Sequence, residues 1–564
     1  MNRYMKLLSI QLVMGLFIIM GIAGCNTNTD KDDVVMEDLP ELGDFSKELT
    51  LKLSGSFTQG KIEEDNWVQK KLEKMFNVKI VNTKNNTWSK DEVSLMVASG
   101  DVPDTFSFTA GTQTSRQLYE GGVTRTIPRA MIEKYAPLYS KMIDENAPGW
   151  EMNLAPEKEN EYLNLTGYQG HAAGILWAPT FRLDWLENLG IAPPGEINPV
   201  GTEGGLERIF FTDKAYTLEE VEKILHAFTY DDPDGNGIND TYGMLPYNNQ
   251  LHWMNTLMGA HGVASGYNLM EDGELISAEI SNKYKEGLKL LAKWQEMGVI
   301  DPEWTTIDVE TSWEKYKQGR TGYFTAQRSY VAMEEWTKTR APQNLVAADP
   351  NVKVLVTAPE IGPDGQQGQG AWMPVTLLGD AFQISKDVTD EELARILQIF
   401  DYINHDDDSR WTIYGEVGEH SEWGGTPEES SLLVKEEYPS TEGNMGFNAY
   451  NFRTYSGKRL QWLTSEKTLK LMEQFFAKPE VVEKMAIRPY RYDLFNETKG
   501  QELTKRYSGQ LNTIVEEFRM KAIVGELDVD KEWDSYVENW LKNGGKQVLE
   551  ELEKAPKVSD LLEK

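Results

Sequence analysis

The chain has 564 residues, with 57 Lys and Arg against 90 Asp and Glu and a formal net charge of −33. Such an acidic balance argues against nucleic acid as a partner and against a broad electrostatic hold on anionic lipid. It also disfavours a polyanionic ligand unless a local basic pocket overrides the overall field. A lone cysteine, Cys25, excludes an internal disulfide, so stability rests on a core, and the ~540 residues beyond it call for two or more lobes.

The N-terminus reads as an export signal. Arg3 and Lys6 form a short cationic head, Leu7–Ile22 is mostly apolar, and Ala23-Gly24 precede Cys25. A small pair followed by cysteine is the cleavage pattern of a bacterial lipoprotein. Its thiol takes diacylglycerol (a palmitate-type anchor), leaving Cys25 as the acylated end of the mature chain. The alternative is a signal anchor with an incidental cysteine. Residues 1–24 are thus expected to be removed. Residues 25–48, rich in Asn, Thr, Asp and Glu and without apolar periodicity, are expected to form a disordered tether. No second apolar stretch of spanning length follows Cys25.

Beyond the tether, strands and helices alternate. Leu49–Leu53 reads as a strand, Ile62–Phe76 as a helix, Val78–Val81 as a strand, Asp91–Ser99 as a helix ended by Gly100, and Asp104–Phe108 as a strand. This alternation predicts a parallel sheet covered on both faces. Thr217–Phe228 is a helix opened by the capping box Thr217-Leu218-Glu219-Glu220. Ser281–Met297 is a helix stopped by Gly298 and Asp301-Pro302. Val352–Val356 is strand-like, Asp390–Ile403 helical, and Gln501–Lys554 mostly helical with a break at Gly544-Gly545. No internal repeat appears.

Several segments together resemble one family, the family 1 extracellular solute-binding proteins of ABC importers, and especially its large oligosaccharide-type lipoproteins. Val97-Ala98-Ser99-Gly100-Asp101-Val102-Pro103-Asp104 is similar to the family's ASGDxPD stretch. Arg182-Leu183-Asp184-Trp185-Leu186 with Leu189-Gly190 resembles RxDWLxxLG, and Gly298-Val299-Ile300-Asp301-Pro302-Glu303 resembles GlIDPE. Gly415-Glu416-Val417-Gly418-Glu419-His420 is similar to a GxEGxH turn, with Val417 where the family has an acid. Trp533-Asp534-Ser535-Tyr536-Val537 and Gly544-Gly545 are similar to its C-terminal pattern.

The resemblance covers roughly 48–555. It implies an α/β, two-lobed periplasmic-binding-protein-like fold, each lobe a mostly parallel sheet flanked by helices, joined by hinge strands. Lobe 1 would take 48–176 and 358–410, lobe 2 would take 177–357 and 411–540, and 541–564 would be a helical tail. It also implies a monomeric, non-enzymatic receptor that closes on a carbohydrate and hands it to membrane permeases.

An oligosaccharide site wants aromatic platforms and planar hydrogen-bonders. The family pattern places Trp177, Arg182, Trp253, Gln327, Tyr330, Trp372 and Glu416 on segments facing the cleft. Core packing is the alternative for any one tryptophan, and Arg182 could instead pair with Asp184.

Asp232-Pro233-Asp234-Gly235-Asn236-Gly237-Ile238-Asn239-Asp240 is the sharpest local motif. Oxygen ligands fall at Asp232, Asp234, Asn236 and Asp240, with the Ile238 carbonyl between and Gly237 at the turn, as in an EF-hand loop. Alternating hard oxygens suit a structural Ca²⁺. Thr241 and Gly243 stand where further acids would complete the set; the alternative is a plain turn.

The six histidines are scattered, with no zinc-hydrolase spacing, and His420 reads as a solvated loop residue. Two other functions remain open from the residues alone. One is an extracellular glycoside hydrolase, which needs a pair of carboxylates across a cleft. The other is a peptide or signal receptor on the same fold.

Overall fold

The computed structural model describes residues 36–54, 61–87, 89–106, 113–145, 149–168, 177–201, 205–245, 254–327, 330–331, 340–368, 377–378, 382–423, 432–438, 445–447, 449–450, 483, 485, 487–493, 495 and 497–562. Met1–Asp38 and Leu39–Lys564 are separate units. In the first, the described residues are Met36–Asp38, a single helical turn. Cys25, the signal segment, Trp253 and Trp372 lie outside the described residues.

The strands that build the two larger sheets of the second unit are β1 (Leu49–Ser54), β2 (Val78–Thr83), β3 (Thr105–Phe106), β4 (Thr124–Arg125), β5 (Trp177–Arg182), β6 (Asn198–Pro199), β7 (Ile209–Phe211), β8 (Tyr242–Met244), β9 (Thr321–Gln327), β10 (Val354–Val356) and β11 (Gln383–Ser385). The helices used below are α1 (Trp67–Phe76), α2 (Lys90–Ser99), α3 (Ser115–Glu120), α4 (Leu218–Tyr230), α5 (Asn282–Glu296), α6 (Asp390–His405), α7 (Lys499–Ile523) and α8 (Val529–Trp540).

Local chemistry explains most boundaries. Asn66 accepts from Gln69 N and starts α1 five residues later than the periodicity predicts. Gly100, at φ 71°, ends α2 without the strain a side chain would meet. Thr217 and Glu220 form the reciprocal capping box of α4.

Among the described residues, one sheet has the order β2-β1-β3-β11-β4 and the other β8-β9-β5-β10-β7-β6. The first builds lobe 1. Leu49, Leu51 and Leu53 alternate inward, and α6 buries Leu393, Ile396, Leu397, Phe400 and Ile403. The second builds lobe 2 and is covered on both faces. Phe181, Tyr323 and Leu355 face a core that includes α4, α5, α7 and α8. Phe324, Val354 and Val356 face the opposite one, with Trp313 and Tyr316. This period-two alternation is what a two-sided buried sheet requires.

Both sheets are mixed rather than mostly parallel. β1 runs parallel to β2 and β3, but β11 is antiparallel to β3 and β4. β8 and β9 are parallel, as are β7 and β10, but β5 is antiparallel to both β9 and β10. The reason lies in connectivity. β5 and β11 are the strands by which the chain enters each lobe from the other, so they run opposite to strands wound from within.

Three stretches differ from the expected partition. Residues from Pro40 to Lys47 are fastened to lobe 1 rather than free: Gly43 N donates to Gln398 Oε1 at 2.8 Å and Tyr135 Oη to Pro40 O at 2.6 Å. The Arg395 guanidinium lies 4.7 Å over the Phe45 ring. Described residues of 411–450, expected in lobe 2, pack on lobe 1, where Trp67 meets Trp411 edge-on at 5.6 Å and Asn66 Nδ2 donates to Tyr450 Oη at 2.9 Å. The tail is no appendage, since Val548 and Leu549 pack against the lobe 2 core. The break at Gly544 (φ 115°) lets the chain fold back there. No helix among the described residues is long and apolar enough to cross a membrane.

Candidate functional site

The antiparallel entry of β5 and β11 locates the rim between the lobes. A strand arriving from the other lobe begins at that rim, so its antiparallel neighbours end there. The carboxyl ends of β9, β10 and β3 therefore point to it, which is where open α/β sheets place ligands. Trp177, the first residue of β5, is in register with Gln327, the last of β9. The structure thus brings Trp177 and Gln327 side by side at one end of the lobe 2 sheet. Trp177 is 6% exposed and belongs to the core cluster beneath. Tyr330, three residues on, stands edge-on to Trp313 at 5.8 Å, and the Arg340 guanidinium lies 5.4 Å over that same indole. Burial raises the Tyr330 phenol pKa, and the Arg340 charge and hydrogen bond oppose this.

Arg182 is different. It is 5% exposed. Nε and Nη2 hold Asp184 at 2.9 and 2.6 Å, Nη1 donates to Gly319 O at 3.0 Å, and the guanidinium covers the Trp185 ring at 4.4 Å. A fork held in this way also serves as a structural clamp between β5 and the turn at Gly319. Glu416 sits on lobe 1 and pairs with Lys71, with half of its side chain exposed.

A lobe 1 aromatic cluster escaped the sequence reading. Trp67 opens α1 and is half-buried. Around it lie Trp411, His420 at 4.7 Å and Phe447 at 5.9 Å, and Lys71 Nζ stands 4.1 Å over the Trp411 ring. His420 is 3% exposed, not solvated, and its Nδ1 accepts from Glu416 N at 3.2 Å. Gly415 carries φ 65°, and a Cβ there would fall 2.5 Å from that of His420, so the turn needs glycine. The only local signal was the Asn66 cap; the partners are more than 340 residues away in sequence.

Glu360 follows β10 on the way back to lobe 1 and is 1% exposed. Tyr323 Oη donates to its Oε1 at 2.6 Å, and the Thr256 and Thr325 hydroxyls lie 3.3 and 3.2 Å from that Oη. Oε2 has no partner among the described residues. Burial pushes this carboxyl up to about 7 despite the Tyr323 bond.

In the acidic loop, Gly237 N donates to Asp232 Oδ2 at 3.0 Å, and the Asn236 amide reaches Asp234 at 2.8 Å and Asp240 at 3.4 Å. Partial burial, and with it the nearby Asp232 and Asp240 carboxylates, raises the Asp234 carboxyl pKa. Thr241 turns inward to donate to Phe228 O at 2.7 Å. A Cβ on Gly243 would meet Leu225 O at 2.6 Å. Both residues belong to the packing of the loop's exit against α4. No three His, Cys, Asp or Glu side chains are grouped closely enough for a metal among the described residues.

Mixed sheets in two lobes, with strands crossing between them, define the solute-binding protein fold of ABC importers. No protein-family model matches the chain. It is similar to the polygalacturonan/rhamnogalacturonan-binding protein YtcQ of Bacillus subtilis, 23% identical over 376 residues, which is 66% of each chain. It is also similar to the fructooligosaccharide ABC transporter substrate-binding protein FusA of Streptococcus pneumoniae, 23% identical over 310 residues. That match spans 53% of this chain and 52% of FusA. The crystal structure of FusA with kestose superposes with a TM-score of 0.64 at 20% identity, covering 90% of this chain and 98% of that one. An alginate-binding protein, AlgQ2, solved without calcium ion, gives 0.63 at 19% identity, covering 92% and 99%. The chain is thus similar in sequence to these binding proteins and shares the two-lobed fold of FusA.

Proposed function

We propose that the protein is the solute receptor of an ABC importer. It captures an oligosaccharide between its lobes and presents it to membrane permeases, anchored on the outer face of the cell membrane through acylated Cys25. The observation that carries this reading is the shared rim of the two sheets, with Trp177 and Gln327 in register at its edge, in a chain similar to oligosaccharide-binding receptors. Trp177, Gln327 and Tyr330 would serve the sugar from lobe 2, and Trp67 and Glu416 from lobe 1, with Trp253 and Trp372 as further candidates. Ligand favours closure only by its differential affinity for the closed state. Tethering raises the receptor's local concentration at its permease.

Calcium belongs to the same proposal. Asp232, Asp234, Asn236, Asp240 and the Ile238 carbonyl would hold Ca²⁺, a hard cation suited to these oxygens. The raised Asp234 carboxyl fits, since a cation would relieve the repulsion from Asp232 and Asp240. One structure similar to this chain is an EF-hand mutant of FusA.

The test is a thermal-shift panel of neutral and acidic oligosaccharides and of peptides, with product analysis. Stabilisation by a sugar without turnover is expected. Turnover, or stabilisation by peptides alone, would refute the reading.

A further inference from the structure

Two hydrogen bonds join the lobes away from the covalent crossings. Arg116 Nη1, on α3 of lobe 1, donates to Glu497 O at 2.9 Å. Lys505 Nζ, in the second turn of α7, donates to Gln113 O at 2.8 Å. Each partner is rooted in a different lobe. Gln113 and Arg116 flank Thr114, the N-cap of α3, whose capping box with Gln117 fixes that turn. On the other side, Asn268 brackets Arg491 through its Oδ1 and Nδ2, both at 2.8 Å. Asp493 then accepts from Thr498 Oγ1 at 2.5 Å and Phe495 N at 3.2 Å, and Thr498 caps α7. Downstream, Leu511, Val515, Phe518 and Ala522 of α7 lie in the lobe 2 core. Arg491–Asp493, Phe495 and Glu497–Lys505 thus form an arm that is tied to lobe 2 and reaches the start of α3.

We propose that this arm is an interlobe clasp that sets the resting separation of the lobes. It lies just downstream of β3, whose carboxyl end faces the rim, so hinge motion must stretch both bonds at once. Neither bond involves a residue assigned to the sugar. Both acceptors are backbone carbonyls, and the Glu497 and Glu502 carboxylates add their attraction to the Arg116 charge. The inference rests on the hinge-closing reading of the two lobes.

The test is an interlobe distance measured without ligand. In the full mature chain with Cys25→Ser, spin labels at Lys79→Cys on β2 and Glu274→Cys on lobe 2 report the separation by pulsed electron resonance; both positions are exposed. Loss of two net hydrogen bonds in Arg116→Ala with Lys505→Ala should shift the compact-to-open ratio about tenfold toward open, seen as longer and broader distances. Lys223→Ala, which removes an exposed pair within α4, should leave the distribution unchanged. Lys505→Ala alone, at an exposed site, should give a smaller shift in the same direction and guards against misfolding of the double variant. Superimposable distributions for the wild type and both clasp variants would overturn the proposal. Because no sugar is present, failure of the oligosaccharide reading would not alter this result.

Discussion

Replacing Glu360 with glutamine isolates the energetic consequence of burying its carboxyl. Its ordinary value of 4.5 is pushed up to about 7 by burial. At about 1.4 kcal/mol per pH unit, that difference opposes folding by roughly 3 kcal/mol once the group must ionise. The direction follows from proton binding. The folded state holds the proton more tightly, so the contribution is fully present below 4.5 and is lost as pH rises through 7. Between pH 5 and 8 the wild type should lose roughly 2 to 3 kcal/mol from this group. The Glu360→Gln side chain has no such titration. Its carbonyl oxygen can still accept from Tyr323, while its amide is left without a partner at a cost of about 1–3 kcal/mol at every pH. The variant should therefore be less stable than wild type at pH 5 and gain roughly 2 to 3 kcal/mol relative to it by pH 8. Urea unfolding at four pH values, followed by tryptophan fluorescence, reads the difference. Asp401 and Glu497 also titrate upward, but they cancel between wild type and variant. Parallel stability curves from pH 5 to 8 would refute the argument.

Three further outcomes are expected. A Cβ on Gly322, in β9, would lie 2.1 Å from a Phe228 ring carbon, so Gly322→Ala should cost about 1–3 kcal/mol or more through overpacking, seen as a lower melting temperature. Arg182→Ala leaves Asp184 and Gly319 O without their partner and should destabilise by roughly 3 kcal/mol. Sugar affinity of the folded variant should stay unchanged, and a selective affinity loss would support a ligand role. Chelator should lower the melting temperature, and Asp232→Ala with Asp234→Ala should abolish that sensitivity; equal melting with and without chelator would remove calcium from the account.

Elements held by neighbours in sequence were legible. The capping box of α4, the glycine stop of α2 and the 217–230 stripe depend on bonds across three or four residues, which periodicity and cap chemistry capture. The site was legible only in part. Trp177 and Gln327 were chosen from a family pattern, yet their pairing across β5 and β9 spans 150 positions and appears only in the sheet register. His420 looked solvated because its loop is polar, whereas Trp67, Tyr438 and Phe447 come from distant stretches to enclose it.

The chain by itself determined its export pattern, its acidic and disulfide-free character, the alternation of strands and helices, and the oxygen-rich loop, because each is a property of composition or of a few adjacent residues. Tertiary structure alone decided where strands run antiparallel and that 411–450 packs on lobe 1. The physical reason is the same in each case. Burial, register and hydrogen-bond satisfaction are set by which surfaces meet, and in a chain that crosses between two lobes those surfaces are hundreds of residues apart.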